Sequence, residues 1–330
     1  MRYSVALCTY DGEKYLAEQL QSIIQQTVPP TQIVICDDMS TDSTNTLIQE
    51  YANDNLDINW KHIINEKNIG VARNFEKAIH LCDEDIVFLS DQDDVWIANK
   101  AEIILNCFKN THYSIIFSDG YIVDDMLNDL GITMFEAVNF SSKHQKKFPN
   151  NYYGMNLLLA RLIVSGATMA FKKKIVQLYL PIPNILFFLH DSWIAIIGTC
   201  ANHTAFINKP LILYRQHSNQ ATKIKNSNEP LHIEEGFNKV SCLINRLKIR
   251  QEQENLIFNF LKNKPELTSS EVLNLLKIRQ RLYYKLINKP EKILERLKTF
   301  SFMPYKYKLP EFCTLRMFIG NYYHYIFSKN

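Results

Sequence analysis

Three carboxylates stand within four positions directly after the apolar run Ile86–Leu89, at Asp91, Asp93 and Asp94. The apolar run is typical of a short buried strand, and the carboxylates follow where that strand would end. Like charges this close repel one another unless a cation compensates them. Mg²⁺ and Mn²⁺ prefer oxygen ligands, so a divalent metal that carries a diphosphate is one candidate partner. The alternative is a solvated turn in which an Asp caps a helix that starts near Trp96.

Two further polar clusters follow apolar runs nearer the N-terminus. Thr9–Gly12 follows the predicted strand Ser4–Cys8, and Asp37–Asp42 follows the predicted strand Gln32–Cys36. Ligands of open parallel sheets bind beyond the carboxyl ends of the strands, so the three clusters predict one shared site. The chain has no Gly-x-Gly-x-x-Gly and no Gly-Lys-Ser/Thr phosphate loop. The usual dinucleotide-binding and P-loop ATPase classes therefore lose their main sequence support.

The elements that would position these clusters alternate between strand and helix. Apolar residues at helical spacing predict helices over Tyr15–Gln26 and Val71–Leu81, and Ser43 fits as the cap of a helix that continues to about Tyr51. Ile58–Ile63 adds another strand. This alternation predicts an α/β fold with a central, mostly parallel sheet and helices on its faces.

Beyond Tyr113 the pattern is mixed. Ser165–Phe171 and Pro210–Arg215 predict strands, and His190–Trp193 opens a short apolar helix. Beyond residue 238 the chain predicts helices with alternating charge and apolar stripes, for example over Ser270–Ile287. We therefore expect a helical C-terminal extension behind the α/β domain.

Charge is distributed unevenly along the 330 residues, although the net charge is only +3. Residues 1–238 carry 19 Lys/Arg against 27 Asp/Glu, whereas residues 239–330 carry 18 against 7. A basic, aromatic-rich tail suggests an anionic partner, either membrane headgroups or nucleic acid. No nucleic-acid-binding motif is present, so we expect no nucleic acid partner. The seven cysteines form no Cys-x-x-Cys pair, which is typical of reduced thiols in a cytosolic protein.

With these clusters in order, the first 220 or so residues resemble the inverting family 2 glycosyltransferases, which have the GT-A fold. Within that family they look most like the bacterial rhamnosyltransferase-type branch. The matching segments, in chain order, are Val5–Gly12, Ile35–Asp42, Asn68–Asn74, Phe88–Trp96, His190–Trp193 and Tyr214–Asn219. Each segment alone is weak evidence for the family. The resemblance depends on all of the segments occurring in this order and at this spacing. It implies a catalytic domain over residues 1–238, with a nucleotide-sugar half of about 1–118 and an acceptor half of about 119–238.

The resemblance implies roles for donor-binding residues in the first half. Thr9, Tyr10 and Asp11 would line the base and ribose pocket, and Asp38 would accept a hydrogen bond from the imide N–H of uracil or thymine. Arg73, at the start of a helix, would face the diphosphate. The alternatives are that Tyr10 closes the first turn, that Asp38 caps a helix, and that Arg73 forms a surface salt bridge.

The resemblance also implies a metal site and a catalytic base. Asp93, with Asp91 and His217, would hold Mn²⁺ or Mg²⁺, while Asp91 and Asp94 would share ligand and ribose contacts. Asp191 would be the base that removes the proton of the acceptor hydroxyl. The alternatives are that Asp191 caps a helix and that His217 is an ordinary hydrogen-bonded residue.

The implied activity is a metal-dependent inverting transfer in bacterial surface polysaccharide synthesis, such as that of O-antigen or capsule. The sugar would be rhamnose from dTDP-rhamnose or a hexose from a UDP-sugar, and the acceptor a glycan or a lipid-linked oligosaccharide. A non-catalytic sugar- or nucleotide-binding protein with the same fold is the alternative, although a binder needs no base at Asp191. A nucleotidyltransferase would need a glycine-rich first loop with basic residues, which Thr9–Glu13 lacks.

We expect a cytoplasmic protein, because the chain shows neither an N-terminal apolar signal core nor a membrane-spanning apolar run. The extension over residues 239–330 is a candidate for peripheral attachment to the anionic inner face of the cytoplasmic membrane. Its aromatic and basic residues include Tyr305, Lys306, Tyr307, Lys308, Arg316, Tyr322, Tyr323 and Tyr325. The alternatives are a solvated basic face and a packing element.

Overall fold

Nine strands form one mixed sheet in this computed structural model, which describes residues 1–161, 163–183, 189–218, 220 and 239–288. Across the sheet the order is β3-β2-β1-β4-β8-β6-β9-β5, with β7 beside β6. The strands are β1 (Tyr3–Thr9), β2 (Gln32–Asp37), β3 (Asn59–Ile64), β4 (Ile86–Ser90), β5 (Val95–Trp96), β6 (Ile115–Val123), β7 (Asp129–Thr133), β8 (Met169–Lys172) and β9 (Thr204–Arg215).

Helices cover both faces of the sheet and continue beyond it. They are α1 (Leu16–Ile24), α2 (Thr44–Asp54), α3 (Val71–Leu81), α4 (Lys100–Asn110), α5 (Met134–Ala137), α6 (Ser142–Lys147), α7 (Asn151–Ala160), α8 (Lys173–Gln177), α9 (His190–Cys200), α10 (Lys239–Lys262) and α11 (Ser270–Asn288). None of these described helices is long and apolar enough to cross a bilayer.

The first four strands in space, β3, β2, β1 and β4, are all parallel, as their alternation with helices predicts. Strand β8 runs antiparallel to both β4 and β6, and β6 is in turn parallel to β9. The predicted α/β fold with C-terminal helices is therefore confirmed, as a mixed sheet whose N-terminal half is parallel.

The structure differs from the sequence prediction around the acidic cluster. No helix starts near Trp96: Val95 and Trp96 form the short strand β5 against β9, and helix α4 begins only at Lys100. Strand β9 extends further than predicted, from Thr204, and its pairing with β6 shifts register just before Pro210. Proline has no N–H to donate, so it is compatible with a strand where the ladder is interrupted.

Alternate side chains of the strands belong to two apolar layers, one on each face of the sheet. On β1, Val5 and Leu7 pack with Leu20 of α1 on one face, whereas Ala6 points to the other face with Phe75 of α3. All five side chains are almost fully buried. Side chains alternate between the two faces along β1, so one set packs against α1 and the other against α3. The end of β1 is therefore held between these two helices.

The C-terminal helices α10 and α11 pack on the same apolar layer as α9. Leu261 of α10 is fully buried in that layer, and the rings of Phe260 and Trp193 lie 5.0 Å apart, edge to face. A buried ion pair between Arg279 and Glu254, with an N–O distance of 2.6 Å, joins α11 to α10. The predicted division at residue 238 and the aromatic residues from 305 to 325 lie outside the described residues, and both stay predictions.

Candidate active site

The three polar clusters meet at the carboxyl edge of the parallel strands. Thr9 at the end of β1 is in register with Asp37 at the end of β2, and Leu7 is in register with Ser90 at the end of β4. The hydroxyl of Thr9 donates to the Asp37 carboxylate at 2.6 Å. The sheet thus brings the three clusters together at one edge, as the strand pattern predicts.

The loop after β1 is fastened to the acidic loop by a side chain that the sequence reasoning did not select. The Gln92 amide accepts from the Tyr10 N–H at 2.9 Å and donates to the Tyr10 carbonyl at 3.0 Å. A Cβ on Gly12 would lie 2.3 Å from the Gln92 Oε1, so a side chain at this position would displace the Gln92 amide from these two hydrogen bonds. Asp11, at a positive φ of 44°, accepts from the Thr41 N–H at 2.8 Å. The Tyr10 side chain itself is 52% exposed.

Asp38 is almost fully buried and organises the loop before helix α3. Its Oδ1 accepts from the Asn65 amide and the Ile69 N–H, and its Oδ2 accepts from the Gly70 N–H, each at 2.8 Å. It does not cap a helix, since α2 begins after Ser43. The role of Asp38 towards a base stays a prediction, and its visible role is to shape the loop at Gly70.

Arg73 lies in the first turn of α3, where the sequence places it. Its guanidinium pairs with Glu76 on the same helix, with an N–O distance of 2.5 Å, and the Arg73 side chain is 41% exposed. This is the surface salt bridge of the alternative interpretation. The Glu76 side chain is only 12% exposed, so the pair is partly buried, and the role of Arg73 towards a diphosphate stays a prediction.

The acidic loop is electrostatically crowded. Burial, followed by the charges of Asp93 and Asp191, raises the pKa of Asp91 to about 8. Burial, with the charges of Asp93 and Asp91, also raises the pKa of Asp94 well above its usual range. Asp94 is fully buried, and its Oδ1 accepts from the Arg215 N–H at 3.1 Å. Its Oδ2 has no hydrogen-bond partner within the part of the chain that the structure describes.

Lys100, which the sequence reasoning did not select, is a fully buried cation beside this loop. Its ammonium donates to the Ala167 carbonyl at 2.6 Å and lies 3.9 Å from the centroid of the Trp96 ring. Burial lowers the pKa of Lys100 to about 7, while the charges of Asp94 and Asp91 act in the opposite direction. Lys100 is thus an internal counter-charge for part of the acidic loop.

Asp93 meets His217, which the sequence reasoning paired with it. The His217 Nε2 lies 2.8 Å from the Asp93 Oδ2, and both side chains are largely buried. The ring of Tyr15 packs on the imidazole of His217 with a centroid distance of 4.6 Å. These two groups, 124 residues apart in the chain, therefore form one compact pair.

Asp191 lies in the first turn of α9 and does not cap it, since Leu189 occupies the cap position. Its Oδ2 accepts from the Gly166 N–H at 2.9 Å and its Oδ1 from the Ser192 N–H at 2.5 Å. The neighbouring His190 is buried and stacks on Phe75 at 3.9 Å, and neither ring nitrogen has a hydrogen-bond partner among the described residues.

All four carboxylates act on one buried phenol. Burial raises the pKa of Tyr214, and the charges of Asp94, Asp91, Asp93 and Asp191 raise it further. The base candidate from the second half of the chain and the acidic loop from the first half therefore belong to one electrostatic site.

The donor set fits a divalent cation that arrives with a diphosphate. Among the described residues, no group of three or more His, Cys, Asp or Glu side chains is placed to hold a metal by itself. Asp93 and His217 make a two-member set, and Mg²⁺ commonly takes only one or two protein ligands with substrate phosphates and water. The partnerless Oδ2 of Asp94 and the raised pKa of Asp91 are properties that a nearby cation would relieve. The participation of Asp91 as a ligand stays a prediction.

A protein family and several known proteins are similar to this chain over much of its length. The family model described as "Glycosyl transferase family 2" matches residues 4–179. A dTDP-rhamnosyl transferase of Shigella flexneri is 28% identical over 224 residues, covering 64% of this chain and 72% of that protein.

Two further relatives show how far the likeness extends. An Escherichia coli enzyme named for transfer from UDP-Glc to a GlcNAc-diphosphoundecaprenol is 25% identical over 122 residues, which are 37% of this chain. The match spans only 47% of that enzyme's length. The crystal structure of Staphylococcus aureus TarS 1–349 with UDP-GlcNAc has a TM-score of 0.52 at 16% identity, covering 99% of this chain and 82% of that one. At that identity the likeness concerns the fold.

Proposed function

Because the chain belongs to glycosyl transferase family 2, we propose that it moves a sugar from a nucleoside diphosphate to an acceptor hydroxyl by a metal-dependent, inverting displacement. The observation that carries this proposal is the pairing of Asp93 with His217 at 2.8 Å beside the buried Asp94, with the Asp191 carboxylate held separately by the Gly166 N–H. A carboxylate cluster suited to a metal diphosphate and a separate carboxylate suited to a base are the two parts that such a transfer needs.

The first half of the site would bind the donor. Thr9, Tyr10 and Asp11 lie on the loop that Gln92 fastens to the acidic cluster, where a base and ribose could rest beside the exposed Tyr10 ring. Arg73 and the free N–H groups at the start of α3 would face the diphosphate, because a helix N-terminus attracts anions.

Asp93 and His217 would hold the divalent metal, with Asp91 next to them and Asp94 behind them. When bound, Mn²⁺ or Mg²⁺ would act as a Lewis acid that neutralises charge on the departing diphosphate. Lys100 and the Arg215 N–H already compensate Asp94 from within the protein. This arrangement leaves Asp93 as the carboxylate that faces the ligand.

Asp191 would be the base. The Gly166 and Ser192 N–H groups each occupy one lone pair of its carboxylate, so lone pairs remain to take the acceptor proton. The acceptor oxygen would then form a bond to the anomeric carbon on the face opposite the diphosphate. The bond from that carbon to the diphosphate breaks, and its electron pair leaves with the nucleotide. One such displacement inverts the anomeric centre.

For the substrates, we propose dTDP-rhamnose or a UDP-hexose as donor and a glycan or lipid-linked oligosaccharide as acceptor, in the synthesis of a bacterial surface polysaccharide. Support comes from the relative named as a dTDP-rhamnosyl transferase and from the one named for a diphosphoundecaprenol acceptor. A third relative, from Bacillus subtilis, is named as a putative teichuronic acid biosynthesis glycosyltransferase.

For the location, we propose a cytoplasmic enzyme whose extension over residues 239–330 associates with the anionic membrane surface. The outer face of α11 supports this, because exposed Lys277, Arg281 and Tyr284 line an open cavity of about 370 Å³ there. Basic and aromatic side chains together suit the headgroup region.

The test of the proposed activity is a donor-hydrolysis screen. Purified full-length protein is incubated with dTDP-rhamnose, UDP-glucose or UDP-GlcNAc, in Mn²⁺, Mg²⁺ or EDTA, and the release of nucleoside diphosphate is measured. We expect release from one nucleotide class with metal and none with EDTA. Equal release of nucleoside diphosphate with metal and with EDTA would contradict the proposed metal dependence. Tight binding of every donor without release would favour the non-catalytic alternative.

A further inference from the structure

Arg215, at the end of β9, is a buried cation that bonds to three separate segments of the chain. Its side chain is 2% exposed. The Nε donates to the Asp93 carbonyl at 2.8 Å, and one terminal nitrogen donates to the Asp125 carbonyl at 2.6 Å. The other terminal nitrogen pairs with Glu18 of α1, and the Arg215 backbone N–H donates to the Asp94 carboxylate.

The same guanidinium also supports His217 through an aromatic ring. The Arg215 guanidinium carbon lies 4.7 Å from the centroid of the Tyr15 ring, and the His217 imidazole lies 4.6 Å from that centroid. The Tyr15 hydroxyl donates to the Asp125 carboxylate, which anchors the far end of the ring. Arg215 thus fixes the backbone of Asp93 and, through Tyr15, the imidazole that faces Asp93.

We propose that Arg215 is a positioning residue that holds Asp93 and His217 in the geometry in which this pair binds a divalent cation with a nucleoside diphosphate. It touches neither metal nor nucleotide and acts through the two groups that would. The inference rests on the proposed function, because it assigns the cation to Asp93 and His217.

The geometry of these contacts explains why position 215 is occupied by arginine. A planar guanidinium offers donors in fixed directions, and these match two backbone carbonyls and a carboxylate that point inward from three segments. A lysine ammonium is a point charge and cannot reach all three acceptors in the same plane. The ion pair with Glu18 adds little, because that carboxylate is 53% exposed, so the carbonyl contacts carry the positioning.

The experiment measures binding rather than turnover. Isothermal titration of UDP and of dTDP into full-length protein at a series of Mn²⁺ concentrations gives the half-saturating Mn²⁺ concentration. Arg215→Lys should raise this concentration about 10- to 100-fold, the range found when groups that orient metal ligands are replaced. Asp93→Ala, which removes a ligand, sets the scale for complete loss of the metal dependence.

Arg279→Lys is the matched control, since Arg279 is also a buried arginine paired with a glutamate, but in the α10–α11 hairpin. It should lower the melting temperature and leave the half-saturating Mn²⁺ concentration unchanged. If Arg215→Lys does not fold, Tyr15→Leu replaces it, because this change removes the ring that lies between the Arg215 guanidinium and the His217 imidazole. The expected rise is then about 10-fold, the lower end of the same range.

The outcomes separate the two proposals. If wild-type protein binds UDP and dTDP equally well in Mn²⁺ and EDTA, the metal part of the proposed function is wrong and the inference falls with it. If the wild type depends on Mn²⁺ and folded Arg215→Lys, or its substitute Tyr15→Leu, keeps the same half-saturating concentration, only the positioning role of Arg215 is overturned.

Discussion

At the scale of single residues, Asp191 is held by backbone rather than by other side chains. The Gly166 N–H reaches its Oδ2 from the short 3₁₀ turn before β8, and a Cβ at Gly166 would lie 2.7 Å from the His190 Nε2. A side chain at position 166 would therefore require either the buried His190 ring or this turn to shift. A shift of the turn would move the N–H from which the Asp191 carboxylate accepts.

We expect Asp191→Asn to lower the rate of sugar transfer about 10²- to 10⁴-fold, because the amide cannot take the acceptor proton. Binding of the nucleoside diphosphate should stay within a few-fold, since Asp191 would face the acceptor, not the diphosphate, in the proposed reaction. The measurement compares initial rates with a donor and acceptor identified by the hydrolysis screen. Asp119→Asn is the matched control, because Asp119 is another buried aspartate that accepts backbone N–H groups. Near-wild-type turnover of Asp191→Asn would remove Asp191 from the role of base.

The residues missed by sequence reasoning share one property: their partners are distant in the chain. Gln92 bonds to Tyr10 across 82 residues, Lys100 to Ala167 across 67, and Arg215 to the Asp93 carbonyl across 122. Carboxylates and a histidine can be selected as candidate site residues from their residue type alone. A glutamine, a lysine or an arginine that supports them does so through tertiary contacts, which periodicity does not encode.

At the scale of the elements, the parallel half of the sheet could be predicted because each strand there is a short apolar run between helices. Strands β5, β6 and β7 could not be predicted in this way. β5 has only two residues, and its strand character comes from pairing Trp96 with Ile212 of β9. β6 pairs with three neighbours, so its conformation reflects the whole sheet rather than its own propensity.

The α10–α11 hairpin should contribute to the stability of the whole catalytic domain. We expect Arg279→Met to lower the free energy of unfolding by about 3–5 kcal/mol, because it leaves the buried Glu254 carboxylate without its ion pair. Urea denaturation followed by circular dichroism is the measurement. Arg281→Met, two residues away on the exposed face, should change the value by less than about 0.5 kcal/mol. Equal effects of the two substitutions would mean that the buried pair does not stabilise the fold.

At the scale of the whole molecule, the α10–α11 hairpin has one side that packs on the core and one side that is exposed. The buried residues of α10 and α11, such as Leu261 and Leu276, belong to the core beneath α9, whereas Lys277 and Arg281 face outward. One side of the hairpin is therefore committed to packing, and the other side is free for an anionic surface. The described helices of the extension are therefore packing elements on one side. Membrane association through the other side stays a proposal.

We expect full-length protein to co-sediment with vesicles that contain anionic phospholipid at low salt, and less so at 1 M salt, where the screening length falls to about 3 Å. Lys277→Glu with Arg281→Glu should weaken this binding. Lys109→Glu with Lys174→Glu, an equal change of charge at exposed positions on α4 and α8, should weaken it much less. If wild-type protein ignores anionic vesicles at low salt, membrane association through the extension is wrong.

The pairing of the acidic loop with Arg215 also has a consequence for the order in which the protein is made. Ribosomes add about 5–20 residues per second, so the 122 residues between Asp93 and Arg215 take roughly 6–24 s to synthesise. During that interval the N-terminal strands can associate, yet the arginine that fixes the Asp93 backbone does not exist. The ligand-binding geometry of the first half is therefore completed only after the second half has emerged, and a nascent chain gains it late in its own translation.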